Sequence, residues 1–393
     1  MGERHQVFVL GLVLLTEILG WSLILPFLPF MALDFGASAF TIGLIISSFS
    51  LFQFISSPII GKLSDKYGRK KMLVLSQIST FFSFIILGFA NSVNMIFLSR
   101  IVDGVLGSNM SLTNAYVGDI TKGKNKAKSY TYFSAIKGVG MFIGPAVGGF
   151  LAEKNYALPS FLAAGISFIT IILIVLFLDE TVKVNRKIKF FKKDFLPVRD
   201  LVNGLKDKHL KNNYLELFFF LLGFFIITTN LALYLDSKLG LGPRDVGMIL
   251  VLIGGVRVIF QAGFLPRLID NYNNRYLEIL GLFITAVSMI SFLFITSRFQ
   301  IYVLGVLISI GIAICSPLMV DNISSKAKKS ERGKVLGVYD SFSSMSRIIA
   351  PLIGGYLIQT SYPDSVGVVS GLFLLIALYY SKKLAKEKVH LFS

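Results

Sequence analysis

Ionisable side chains interrupt otherwise apolar stretches of the chain, among them Glu17, Arg100, Asp103, Lys137, Arg257, Asp340 and Arg347. A charge in such a stretch is costly to desolvate, so these positions mark places that hold protons, ions or charged substrates. Glu17 lies about 11 residues into the first apolar run, or ~16 Å from its inner end at the rise of a helix. A carboxyl at that depth must be protonated, paired or wet. Protonation makes it a proton carrier or a seat for a cationic substrate. Pairing makes it one end of a permanent salt bridge, with Lys137 at comparable depth or Arg100 as the cation. Asp103 stands one helical turn from Arg100, the spacing of an i,i+3 pair that neutralises both. Asp340 is a second proton-site candidate. Arg257 and Arg347 are expected as buried charges whose pairing stays open. Gln53, Asn109, Asn114, Asn230 and Gln261 are candidates to line a substrate cavity, and each suits an interhelical hydrogen bond equally well.

These groups need membrane helices to position them. Of 393 residues, 54% are hydrophobic and 16% charged, with a mean hydropathy of +0.71. Apolar runs repeatedly exceed the ~18 residues that mark a spanning helix. Hydropathy predicts twelve spans in an all-α polytopic membrane protein. The first, at about 6–33, is too long for the core of a signal peptide. The net charge of +17 follows the spans. With the N-terminus inside, most Lys and Arg fall in cytoplasmic segments, and only Lys154, Lys238, Arg244 and Arg298 fall in external loops. The positive-inside rule therefore places both termini in the cytoplasm of a multi-pass plasma-membrane protein. The basic excess is an attraction to lipid headgroups rather than to nucleic acid. Cys315 is the lone cysteine, so it makes no intramolecular disulfide. The three histidines, His5, His209 and His390, lie outside the apolar runs, and no nucleotide-binding Gly-x-x-x-x-Gly-Lys-Ser/Thr occurs. No metal, no cofactor and no enzymatic activity are expected.

The chain reads as a duplication. Pro145-Ala-Val-Gly148-Gly149 matches Pro351-Leu-Ile-Gly354-Gly355 at an interval of 206 residues, and Phe40-Thr-Ile-Gly43 matches Arg244-Asp-Val-Gly247 at 204. Two near-equal intervals imply parallel repeats with a site between them near the midplane. The expected division is residues 1–178 as one six-helix half, 179–211 as a basic cytoplasmic linker with ten Lys or Arg, and 212–393 as the other half. An amphipathic piece near Phe190–Phe195 is expected on the inner leaflet.

Two glycine-rich stretches stand out. Gly61-Lys-Leu-Ser-Asp65-Lys-Tyr-Gly68-Arg69-Lys70-Lys71 reads as a short charged loop between two spans. Gly140, Gly144, Pro145, Gly148 and Gly149 make the fifth span thin and bent, either as a packing face or as a helix that rocks. With Arg100-Ile-Val-Asp103-Gly104, Asp179-Glu180-Thr181, and Glu17-Ile-Leu-Gly20 through Pro26-Phe-Leu-Pro29, these stretches resemble the twelve-helix drug:proton antiporter branch of the major facilitator superfamily. The resemblance implies two pseudo-symmetric six-helix halves and proton-coupled efflux of small lipophilic compounds by a functional monomer. It implies that Gly61, Asp65, Gly68, Arg69 and Asp119 form a cytoplasmic gate, with Arg69 pairing Asp119 and Asp65 meeting the start of the eleventh helix near Gly333–Gly337. It also implies that Arg100 sits beside the proton site. Asp103 departs from the family, which more often carries Gln there. A transporter of the same fold for a metabolite, sugar or organic anion is the alternative.

Overall fold

The computed structural model describes residues 3–121, 123–182, 198–207, 209–327, 332–360 and 362–390. The amphipathic piece expected near Phe190–Phe195 lies outside them. The described residues form helices and no strands.

The helices run in chain order as α1 (Glu3–Ile24), α2 (Leu28–Asp34), α3 (Ala39–Tyr67), α4 (Arg69–Gly88), α5 (Val93–Leu106), α6 (Asn109–Ile120), α7 (Gly123–Ala152) and α8 (Ala157–Phe177). They continue as α9 (Val198–Lys206), α10 (Lys211–Leu239), α11 (Pro243–Ile259), α12 (Leu265–Asn271), α13 (Asn274–Ile290), α14 (Arg298–Ser325), α15 (Arg332–Gln359) and α16 (Ser365–His390). A π-helical turn, Phe260–Phe264, joins α11 to α12. The break between α1 and α2 follows from Pro26: the residue before a proline avoids helical backbone, and Pro29 suits the first turn of the next helix.

Ten stretches among the described residues are helical, long and apolar enough to cross a membrane. The two remaining expected spans differ for separate reasons. The fourth is broken into α5 and α6 at Gly107–Ser108. The eleventh, α15, is continuous over 28 residues, but Asp340, Arg347 and serines 341, 343, 344 and 346 make it too polar to count with the ten.

The broken helix is held by its neighbours. Gln53 Nε2 donates to Gly107 O at 2.9 Å, and Ser108 N donates to Ser76 Oγ at 2.8 Å. A break at membrane depth frees backbone groups that lipid cannot satisfy, and these side chains satisfy two of them. Gln53 therefore has a structural task beyond that of a cavity-lining candidate.

The charged stretch from Gly61 is not a loop. α3 continues through it to Tyr67, and only Gly68 separates α3 from α4. The reason is local. Lys, Ser and Asp are tolerated in a helix once it has left the apolar layer, so the chain turns only where φ reaches 113°, at Gly68.

The chain forms two compact units. The first comprises Met1–Ala37, Ser48–Pro197 and Gly242–Val251; the second comprises Ser38–Ser47, Val198–Leu241 and Leu252–Ser393. In the first, α1 packs on α6, α7 and α8, and α4 on α5 and α8. In the second, α10 packs on α15 and α16, and α13 on α14 and α16. The units depart from the sequence division by two segments, 38–47 and 242–251, which carry the repeat spaced by 204 residues.

Glycines fix how these segments pack. Within the first unit, a methyl added at Gly247 would sit 2.5 Å from Pro145 O, and one at Gly149 would sit 2.6 Å from Pro243 O. Within the second, a methyl at Gly355 would sit 2.5 Å from Ala39 O, and one at Gly43 would meet Pro351 O. Backbone meets backbone at both crossings, so no side chain is available to yield. On α7 against α1, Gly148 likewise meets backbone, at Leu23 O, whereas Gly140 and Gly144 make room for the Ile18 and Ser22 side chains.

Gly247→Ala and Gly355→Ala should each cost about 1–3 kcal/mol through overpacking. The melting midpoint of detergent-purified protein will report the loss. Gly165→Ala, where nothing lies within 4 Å, should be neutral or stabilising, since alanine is the better helix former by roughly 0.5–1 kcal/mol.

Candidate functional site

Five helices of the first unit bring Glu17, Thr80, Ser83, Ser99, Arg100, Asp103 and Asn109 into one hydrogen-bonded chain. α1 supplies Glu17, and α4 supplies Thr80 and Ser83 one turn apart. α5 supplies Ser99, Arg100 and Asp103, and α6 supplies Asn109 as its first residue. α3 contributes its backbone: Gly104 of α5 lies so close to Phe49 that a methyl there would sit 2.7 Å from Phe49 O. Ser56 Oγ seals the crossing by donating to Gly104 O at 2.9 Å.

The chain begins at Glu17, which is half-buried. Asn109 Nδ2 donates to Glu17 Oε2 at 2.9 Å and to Thr80 Oγ1 at 3.1 Å. Thr80 Oγ1 donates to Asp103 Oδ1 at 2.9 Å. Asp103 Oδ2 lies 3.9 Å from Arg100 Nη1, a loose i,i+3 ion pair. Arg100 Nη2 donates to Ser83 Oγ at 3.2 Å and Ser99 Oγ at 3.1 Å. The two serines lock α4 to α5, each donating to the other's carbonyl at 2.9 and 2.8 Å. Arg100 and Asp103 are 5% and 7% exposed, so the chain runs from a partly open carboxyl to a closed ion pair. Arg100 Nε and Asn109 Oδ1 are buried without a hydrogen-bond partner.

The arrangement constrains its own chemistry. A hydroxyl such as Thr80 both gives and takes a proton, whereas the Asn109 amide nitrogen is a donor only. A proton on Glu17 therefore does not hop along the chain to Asp103. Its arrival acts through charge: protonating Glu17 weakens the charge-assisted bond from Asn109, and the change reaches Thr80 and the Arg100–Asp103 pair through shared hydrogen bonds.

The break between α5 and α6 serves this site directly. Gly107 N donates to Asp103 O at 2.6 Å, closing α5, and the next helix opens on Asn109. Had the fourth span been continuous, Asn109 would fall on the helical face set by a 100° step from Asp103. The turn at Gly107 frees it to reach Glu17.

A second cluster gathers around α4. Arg69 Nε donates to Asp119 Oδ2 at 3.0 Å, and Arg69 Nη2 lies 2.5 Å from Asp65 Oδ1. Arg69 Nη1 donates to Ser64 Oγ at 2.5 Å. Asp179-Glu180-Thr181 closes round the same point. Thr181 Oγ1 donates to Asp119 Oδ2 at 3.2 Å, and Lys70 N donates to Glu180 Oε1 at 3.4 Å. Gln6 Nε2 donates to Asp179 Oδ2 at 2.7 Å, and Tyr116 OH donates to Asp179 O. A side chain at Gly68 would collide with the Glu180 carboxylate. Gly68 is thus required twice, for its φ and for this approach. Gly61 has open space around it.

The other candidates are dispersed. Lys137 is half-buried on α7 and Asn114 half-buried on α6. Asn230 is fully buried on α10, donating from Nδ2 to Ile226 O at 2.9 Å and lying where a methyl on Gly354 would go. Arg257 Nη2 reaches Ser316 Oγ at 3.5 Å. The Arg347 guanidinium lies 5.3 Å from the centre of the Phe225 ring. Asp340 and Arg347 were expected to be buried but are exposed. Seven residues apart, they share a polar face of α15 that is not packed in the core. Sequence reasoning missed Thr80 and Ser83, whose i,i+3 spacing on α4 was the available signal, and Ser99 on α5. It also missed Glu216 and Glu278, single acids inside predicted spans.

Comparison with known proteins agrees with this architecture. The family model for the Major Facilitator Superfamily matches residues 10–297 and again residues 214–390. Multidrug resistance protein 2 of Bacillus subtilis is 26% identical over 369 residues, covering 92% of each chain. The class H tetracycline resistance protein of Pasteurella multocida is 24% identical over 401 residues, covering 98% of each. The crystal structure of the human organic anion transporter MFSD10 (TETRAN) shares the fold, with a TM-score of 0.73, 19% identity and coverage of 97% of this chain and 100% of that one.

Asn109→Leu should lower stability by about 1–3 kcal/mol, because it strips the donor from half-buried Glu17 and from buried Thr80. Thr80→Val should cost roughly 1 kcal/mol. Combining them should cost less than the sum, since both act on one chain. Denaturation of the single and double variants in detergent measures the coupling, and strict additivity would show that the two side chains act separately.

Proposed function

The chain belongs to the major facilitator superfamily, and on that premise we propose that it exports small lipophilic, drug-like compounds in exchange for protons. The observation that carries the reading is the hydrogen-bonded chain from half-buried Glu17 through Asn109 and Thr80 to the Arg100–Asp103 pair. Glu17 is the proton carrier. Its protonation and the binding of substrate compete, and each biases the protein toward a different access state. The Arg100–Asp103 pair, tied to Glu17 through Thr80 and Asn109, sets the electrostatic surroundings in which Glu17 gains and loses its proton. Asn109 reports the state of Glu17 to the rest of the unit. Gln53 borders the same region through Gly107, and Lys137 and Asn114 stay candidates on the neighbouring α7 and α6.

Arg69, Asp65 and Asp119 form the inner gate, with both termini on the cytoplasmic side of the plasma membrane. Opening the gate exchanges the Arg69–Asp119 contact for water, a modest cost for a pair exposed to solvent. Inward proton flow gains ~2.3 kcal/mol per charge per 100 mV of membrane potential, enough to drive uphill efflux. The drug-like substrate class is favoured because the relatives found are named for resistance to multiple drugs and to tetracycline. The protein works as a monomer among anionic lipids, which its basic inner segments attract.

A second reading is transport of an organic anion or metabolite. Arg257 and Arg347 in the second unit favour it, since two guanidiniums inside predicted spans suit a carboxylate or phosphate.

In proteoliposomes with an imposed pH gradient, Glu17→Gln should abolish gradient-driven flux of lipophilic cations while leaving downhill exchange. Asp65→Asn should slow both by loosening the gate. Dye and metabolite flux measured side by side separates the readings: anion flux that survives Glu17→Gln supports the second, and cation flux unchanged by both substitutions overturns the first.

A further inference from the structure

The second unit holds a buried charged cluster of its own. Arg275, the second residue of α13, stands 206 residues after Arg69, the interval that separates Pro145 from Pro351. Arg69 meets Asp65 and Asp119 with those carboxylates 46% and 31% exposed. Arg275 instead meets Glu216 of α10 and Glu278 of its own helix, which are 2% and 0% exposed.

The contacts converge on one atom. Arg275 Nη1 lies 2.9 Å from Glu216 Oε1, 3.1 Å from Glu216 Oε2, 2.6 Å from Glu278 Oε1 and 3.3 Å from Ser381 Oγ. Glu278 Oε2 accepts from Asn322 Nδ2 of α14 at 2.6 Å, and Glu278 Oε1 accepts from Ser381 Oγ of α16 at 3.2 Å. The Cys315 thiol of α14 points to Glu278 O at 3.6 Å. Arg275 Nε is buried without a partner, so the guanidinium does not present its full fork to either acid.

Two independent counts fail to close with both acids ionised. By charge, two carboxylates and one guanidinium leave a net negative charge sealed from water, which a protein avoids. By hydrogens, Nη1 carries two, yet three carboxylate oxygens crowd it. Two acids drawn to one nitrogen are side by side, where like charges repel. One proton between them closes both counts. Among the described residues nearby, Lys326 Nζ donates to Asn213 Oδ1 at 2.7 Å, and Lys382 and Lys383, beside Ser381, are exposed.

We propose that Glu216 and Glu278 share one proton beneath Arg275, making a protonation site in the second unit that is separate from Glu17. The site exists whether or not the protein exports drugs, because it rests only on packing and charge within α10, α13, α14 and α16. Its ligand is the proton alone, held as a carboxylic acid hydrogen-bonded to its neighbour.

Infrared difference spectroscopy of detergent-purified protein tests this in a Glu17→Gln, Asp103→Asn background, which removes the acids of the other site. At neutral pH that parent should show the carbonyl stretch of a protonated carboxylic acid, shifted by exchange into deuterated water. Adding either Glu216→Gln or Glu278→Gln should abolish the band, because the remaining acid then ionises against Arg275. The amide replaces a neutral acid, so the melting midpoint should change little. A parent without the band overturns the proposal, as does a band that survives both substitutions. If one variant does not fold, the other decides alone, since losing either partner releases the proton.

Discussion

Every polar group placed inside an apolar span of this protein must find another polar group, because hydrocarbon offers neither hydrogen bonds nor dielectric screening. That requirement organises the first unit. Arg100 is tolerable in α5 because Asp103 lies one turn away and two serines receive its other arm. Asp103 takes the Thr80 hydroxyl, Thr80 takes Asn109, and Asn109 reaches Glu17. Only Glu17 is left half-buried, with one oxygen held by the chain. The one carboxyl of the chain left partly accessible is thus singled out by the way the others satisfy one another.

The same requirement explains why a helix break appears where it does. A continuous fourth helix would need no help from its neighbours, but it could not open a new first turn at Asn109. The break needs Gln53 and Ser76 to take up freed backbone groups. Glycine supplies the complementary device. Where α7 meets α11 and where α3 meets α15, backbone lies on backbone, and no hydrogen bond is required because nothing polar is exposed by the contact. Glycine crossings and buried polar clusters therefore divide the work. The first set how closely helices approach, and the second fix which faces they present.

Much of this was legible in the sequence, and the failures have physical causes. Charge counts and apolar runs pointed to a polytopic membrane protein, because bilayer thickness and the cost of charge are coarse, additive constraints. The repeat of Pro-x-x-Gly-Gly marked the close crossings, because no other residue fits there. Hydroxyls were not legible. Ser and Thr satisfy their own helix carbonyls and look the same in sequence whether or not they also bridge to a neighbour, as Thr16 shows by donating to Leu12 O while lying 2.7 Å from Thr170 Oγ1. Glu216 and Glu278 escaped because acids near helix ends resemble ordinary interfacial charges. The charged stretch after Gly61 read as a loop because polarity and irregular structure coincide in soluble proteins, and here they do not.

The two arginines 206 residues apart carry the argument one step further. Duplication placed a guanidinium at the start of α4 and another at the start of α13. Around Arg69 the acids are solvent-exposed, and an exposed ion pair is worth roughly 0–1 kcal/mol, so it can be made and broken with little loss. Around Arg275 the acids are sealed, and separating a buried pair costs about 3–5 kcal/mol. A contact of the first kind suits a part that moves, and one of the second kind suits a part that must not. The copies have diverged in the acids they supply: at the 206-residue interval Asp65 and Asp119 correspond to Asn271 and Ser325, whereas Glu216 and Glu278 correspond to Leu10 and Met72. The second arginine thus keeps its place in the repeat and takes its partners from other, buried positions.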